Sequence, residues 1–290
     1  MFNFYHLPAA VFYHTMEPEL GFLALRLWHG LCHATHQAYF RSGGPPPDNI
    51  YEFKIGALRT TVLPSGERDN RQIRKAMDDL RESLLVDEIC FAKNGRSIRY
   101  QLGAAVYDIM DKHPKPYTRM DISLVSKCRS KPDILWLQNA LTHCRMDFPK
   151  YLLSPTYFQT RGQRDNELRA ARHISLVTGF RFVVGITQCY FTDAITDVTV
   201  KISHADTKWH ERNFFAFNPH TTIHVFEAGV ASVRSKAAAG QRRTWRKPAP
   251  QQADTTGEQN AEAAHCASAR GDEDGDQDCQ IAEPFSKPTL

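Results

Sequence analysis

A chain of 290 residues and 33.0 kDa has room for one large domain or two ordinary ones, and 42% hydrophobic with 11% aromatic residues exclude disorder throughout. No apolar run reaches the roughly 18 residues of a membrane span, since Arg26 and His29 break the richest stretch, so no membrane partner is expected. The N-terminus shows no basic signal-like region, and seven cysteines without a C-x-x-C pair argue against a disulfide framework, so a cytoplasmic location is expected.

Residues 17–39 carry Leu20, Ala24, Leu27, Leu31, Ala34 and Ala38 at steps of three and four, with Leu23 beside Ala24 three residues after Leu20, which predicts a long helix. Phe22, Leu25 and Trp28 widen its apolar surface, so the helix should be largely buried. Residues 51–55 alternate like a short strand, and 56–63 read as a short helix closed by Pro64-Ser65-Gly66. Asp69 with Gln72 three residues on is a variant of the capping box. It opens a helix whose core face is Ile73, Ala76, Met77, Leu80 and Leu84. Residues 86–91 and 97–102 read as two strands, and the Asn94-Gly95 pair between them is a strong hairpin signal. A helix over 104–110 follows, and two prolines in 111–116 suggest a boundary.

Beyond it, Ser130-Lys131-Pro132-Asp133 starts a helix lined by Ile134, Trp136, Leu137 and Leu141. Another helix runs from Arg164 to about Thr178, and residues 180–187 and 196–202 are strands joined by a long loop. No separate short helix is evident before Arg164. From about Ser235 the chain turns polar. Residues 251–290 hold nine acids and two bases, leaving 34 Lys and Arg against 23 Asp and Glu in residues 1–250, a net of +11. A basic body with an acidic tail is the electrostatic footprint of a nucleic-acid binder.

The order helix, strand, short helix, helix, hairpin is that of a winged helix. The expected fold class is therefore α+β: two winged-helix units in tandem, 1–112 and 113–230, then a disordered acidic tail over 231–290. The candidate DNA-binding residues of the first unit are Arg59, Arg68, Asn70, Arg71, Arg74 and Lys75, with Lys93 and Arg96 at the hairpin tip. The N-terminal end of such a helix meets base edges, where arginine suits guanine and asparagine suits adenine. Asp78, Asp79 and Glu82 share that helix and can pair with its bases, so part of the charge is helix support. In the second unit the candidates are Arg161, Arg164, Arg169 and Arg172. Residues 112–181 carry thirteen bases against five acids, a net of +8, suited to salt-dependent phosphate binding.

Leu25-Arg26-Leu27-Trp28, the run from Asp69 through Leu80 and the run from Ser130 through Leu137 resemble the replication initiators of theta-replicating plasmids. The resemblance covers about residues 15–205, and the stretch from Tyr190 to Phe226 has no counterpart in it. It implies sequence-specific binding to origin repeats in double-stranded DNA, local duplex opening, recruitment of the host initiator and replicative helicase, and a homodimeric form that represses its own gene. A winged-helix transcription regulator has the same organisation.

Enzymatic signatures are sparse. There is no G-x-x-x-x-G-K-[ST], no G-x-S-x-G and no H-E-x-x-H. No cofactor and no resident metal are expected, and the protein reads as non-enzymatic. Two histidine clusters stand against that reading. His29, Cys32, His33 and His36 share one helical face at a spacing zinc accepts, and His204, Asp206, His210, His220 and His224 lie further on. Core packing is the commoner use of such helical histidines; a metal-dependent nucleic-acid enzyme built on Asp193, Asp197 and Asp206 is the alternative.

Overall fold

The computed structural model describes residues 4–8, 11, 20–42, 46, 48–62, 70–93, 95–111, 117–204, 207–218 and 220–235. The class is α+β. The chain divides after Gln241, and residues 236–290, which hold the expected acidic tail, lie outside the described residues. Strand β10 continues the fold to Ser235, past the tail start expected at 231.

The first half runs β1 (Phe4–Pro8), α1 (Phe22–Ser42), β2 (Ile50–Lys54), α2 (Ile55–Thr61), α3 (Asn70–Glu82), β3 (Val86–Phe91), β4 (Ser97–Leu102) and α4 (Ala104–Asp111). Helix α1 is buried on nearly every side, as its wide apolar surface predicts, and packs against β1, α3 and further helices of the second half. Tyr100 on β4 ties the sheet to it: the hydroxyl donates to Leu31 O at 3.0 Å and meets Thr35 Oγ1 at 2.9 Å. Helix α3 turns Ile73, Ala76, Met77 and Leu80 inward. Leu84 does not join them. The helix stops at Glu82, Leu84 takes a left-handed φ of 59° and is 75% exposed, and Leu85 fills the core instead. A helical count carried past the last turn put the wrong leucine inside. The hairpin between β3 and β4 forms as expected, with Gly95 at φ 64°.

The second half runs β5 (Tyr117–Asp121), α5 (Ile122–Lys127), α6 (Lys131–His143), β6 (Lys150–Leu153), a 3-10 turn (Pro155–Phe158), α7 (Arg161–Thr178), β7 (Arg181–Gln188), β8 (Ile195–Ser203), α8 (Glu211–Phe214), β9 (Thr221–Glu227) and β10 (Val230–Ser235). Ser130 caps α6: its side chain accepts from Asp133 N, while Asp133 Oδ2 accepts from Arg129 N at 2.6 Å. The 3-10 turn is the short helix that the sequence did not make evident. It stands where α2 stands in the first half.

The two halves repeat one plan. Each has a helix, a strand, a short helical segment, a second helix and a hairpin: α1-β2-α2-α3-β3-β4 and α6-β6-turn-α7-β7-β8. Strand pairing repeats too, since β2 pairs with β4 and β4 with β3, while β6 pairs with β8 and β8 with β7, all antiparallel. The second sheet is extended by β9 and β10 into the order β10-β9-β7-β8-β6. Of the stretch from Tyr190 to Phe226 that the sequence left unplaced, β9 takes the last residues, from Thr221 on, and β10 lies beyond it. Ahead of each repeat lies one more strand, and β1 and β5 pair with each other.

The extended sheet is covered on both faces. Phe182, Val184 and Ile186 join the main core, while Val183, Ile223 and Val225 meet Phe214, Trp209, Phe215 and Phe217 from the α8 segment. Such two-sided burial is why β7 reads as a nearly continuous apolar run. Buried Lys201 pins that segment: Nζ donates to Asn213 O at 2.8 Å and Ala216 O at 2.6 Å, and lies 4.3 Å from the centre of the Phe217 ring.

Candidate nucleic-acid interface

On α3 the core stripe faces inward, and Asn70, Arg71, Arg74 and Lys75 are exposed on the remaining surface. Asn70 opens the helix and accepts from Arg59 Nη2 at 2.7 Å, so α2 and the start of α3 share one polar contact. Arg74 lies over Phe91 of β3, its guanidinium 5.3 Å from the ring centre. Arg81 is engaged in the fold: Nη2 donates to Ile89 O at 2.7 Å and Nη1 to Asp78 Oδ1 at 3.0 Å. Support of the helix by its own acids thus applies at Arg81, while the N-terminal cations lie elsewhere on the surface. Lys93 and Arg96 are exposed at the β3–β4 tip. Arg68 and Asn94 lie outside the described residues.

On α7, Ala170, Ala171, Ile174 and Ser175 are buried, and Arg161, Arg169 and Arg172 are exposed. The helix begins with a complete capping box: Thr160 Oγ1 accepts from Gln163 N at 3.2 Å, and Gln163 Oε1 accepts from Thr160 N at 3.0 Å. The Thr-x-x-Gln signal was present in the sequence and places the helix start three residues before Arg164. Arg161 Nε lies 3.8 Å from Asp165 Oδ2, an exposed pair of little energetic weight. Half-buried Arg164 shares a cleft with Arg161, Asp165, Gln188, Thr222 and His224. Burial first, and then the Arg164 guanidinium, hold His224 below the ordinary histidine range, leaving a neutral ring behind a cationic rim. Arg172 donates through Nε to Gly229 O and so braces the β9–β10 turn. The four arginines therefore divide: three rim the outer surface or cleft, and Arg172 serves partly as a structural brace.

Two buried polar pairs fix α7 on α6. Trp136 Nε1 donates to Glu167 Oε2 at 2.7 Å, and His173 Nδ1 lies 2.9 Å from Asp133 Oδ2. Burial raises the Glu167 carboxyl above the usual range. Sequence reading missed both pairs, because each joins residues more than thirty positions apart.

The histidine cluster of α1 is part of the core. His29, Cys32, His33 and His36 are all buried against β1, with the Tyr5 hydroxyl on His29 Nδ1, the Tyr5 ring 5.9 Å from His33 and the His6 ring 5.3 Å from His36. Among the described residues no group of three or more His, Cys, Asp or Glu side chains is placed to hold a metal ion. Asp206 lies outside the described residues. Among them, too, no helix is long and apolar enough to cross a membrane. No protein-family profile and no curated protein matches this chain.

Proposed function

We propose that this protein is a non-enzymatic, sequence-specific binder of double-stranded DNA, built from two winged-helix units whose second helices, α3 and α7, enter successive major grooves. The observation that carries the reading is the duplicated plan of helix, strand, short helix, helix and hairpin with identical strand pairing, in which both second helices keep cations on the surface away from the core. In helix-turn-helix proteins that helix reads base edges from its N-terminal residues, and in α3 these are Asn70, Arg71 and Arg74. The hairpins β3–β4 and β7–β8 act as wings, the first carrying Lys93 and Arg96 toward phosphate. The excess of thirteen bases over five acids across 112–181 supports a second unit that anchors while the first reads.

Within this class the sequence phrases in α1, α3 and α6 favour a cytoplasmic plasmid replication initiator, binding origin repeats, opening the adjacent duplex and engaging the host initiator and helicase. A gel shift with DNA flanking the gene tests binding: a discrete, competitor-resistant complex is expected. Binding no tighter than to random duplex rejects specific recognition. Replication of a marker plasmid that carries only the gene and those flanking repeats separates an initiator from a transcription regulator; failure to replicate rejects the initiator.

A further inference from the structure

The hairpin of the second repeat carries an aromatic tip that the core does not use. Strand β7 ends at Gln188 and β8 begins at Ile195. Between them Tyr190 and Phe191 are 66% and 89% exposed, their rings edge to face at 5.4 Å. Large rings left in water at a hairpin tip contribute nothing to folding, and such a patch marks a contact surface.

The tip is rigidly built. Cys189 N donates to Ala194 O at 2.8 Å and Asp193 N to Cys189 O at 3.0 Å, with Asp193 supplying the left-handed residue of the turn at φ 55°. The His220 ring stands 5.6 Å from that of Tyr190 and braces it from the adjoining segment. At the base, the amide of Gln159, next to the cap of α7, holds Ile195 from both sides: Nε2 donates to Ile195 O at 3.0 Å and Oε1 accepts from Ile195 N at 3.4 Å. The aromatic pair is thereby fastened to the N-terminal end of α7, where Arg161 and Arg164 share a cleft with Gln188, the residue before the turn.

We propose that Tyr190 and Phe191 form a wedge that enters the minor groove and partly unstacks a base step of duplex DNA, beside phosphates held by Arg161 and Arg164. This rests on the duplex-binding reading above and adds to it a defined deformation of the DNA. Charge complementarity selects the occupant: although the turn itself carries Asp193, it projects beside the helix end that holds Arg161 and Arg164, and that helix belongs to residues 112–181, of net charge +8, an environment suited to a polyanion with apolar base faces. Apolar side chains inserted between base steps kink the duplex, and pyrimidine–purine steps yield most readily. A wedge also has to be pre-organised, and the fastened turn meets that requirement.

The test uses the full chain and a mixed-sequence duplex of about 40 base pairs, with 2-aminopurine at its pyrimidine–purine steps and a fluorophore pair at its ends. Binding of the unaltered protein is expected to raise 2-aminopurine fluorescence and shorten the end-to-end distance. Phe191→Ala and Tyr190→Ala are expected to keep an unchanged melting temperature, to bind about tenfold more weakly or less, and to lose both signals. Phe191→Leu, still an apolar wedge, restores them. Binding without either signal, or full signals from Phe191→Ala, overturns the wedge and leaves the duplex-binding reading intact. Absence of duplex binding at any salt concentration overturns both, as does Phe191-dependent binding confined to a single strand of the same sequence.

Discussion

His29 shows how a single side chain links fold to solution behaviour. It is fully buried, its Nδ1 meets the Tyr5 hydroxyl, and burial holds its pKa down at about 3. In the unfolded chain the ring takes a proton near its ordinary value of about 6.5. The unfolded state therefore binds more protons between these values. The stability contributed by a neutral His29 is present above pH 6.5 and lost as pH falls toward 3, on the order of 5 kcal/mol in full. Urea midpoints are expected to drop steeply from pH 6.5 to pH 4, and His29→Gln to show a much shallower drop. Equal slopes for the two proteins reject the assignment. The exposed cations behave differently. Arg71→Ala is expected to weaken a specific site by about 1–3 kcal/mol and relax base preference, with little change on random DNA. Lys93→Ala or Arg96→Ala should instead lower affinity on every sequence and flatten the salt dependence by about one unit of slope. An Arg71 effect that is equal on all DNA places that residue on phosphate.

At the scale of elements, what was legible followed local rules. Apolar spacing located α1 and α3, the Ser130 cap located α6, and turn residues located the β3–β4 hairpin, each to within about five residues; Asp69, read as the cap of α3, lies outside the described residues. What was not legible depended on distant partners. The spacing of His29, Cys32, His33 and His36 shows that they share a face, yet only β1, some twenty-five residues earlier, decides that the face packs in the core. The aromatic cover over β7 was likewise invisible, because nothing local assigns Phe217 to Gly185. That contact makes a prediction. A Cβ on Gly185 would overlap Cδ1 and Cε1 of the Phe217 ring, so the sheet accepts the segment around α8 only where this residue has no side chain. Gly185→Ala is expected to cost about 1–3 kcal/mol, as overpacked sites do, and to speed amide exchange in β9. Adding Phe217→Leu should recover part of the loss. A double variant no better than the sum of its parts would show that the contact is not the cause.

At the scale of the whole molecule, the two repeats share one interior. The boundary expected near residue 112 falls beside residues 112–116, which lie outside the described set, and buried side chains from both sides of it form a single cluster from Tyr5 to Phe226. Arg26 of α1, nearly fully buried, donates through Nη2 to Ser126 O at 2.7 Å, and β1 pairs along its length with β5. Severing the repeats would leave a buried guanidinium without its carbonyl and open two strand edges, each more costly than the polar interface of ordinary tandem domains. One cooperative transition is therefore expected in urea, with β4 of the first repeat and β8 of the second losing amide protection at the same midpoint. Loss of protection in β4 at clearly lower urea than in β8 would show two independent domains. The outcome bears on recognition as well. On the duplex-binding reading proposed above, a shared core that holds α3 and α7 in one frame sets the spacing between their footprints on DNA by packing, and that spacing should survive a change in salt that weakens both contacts.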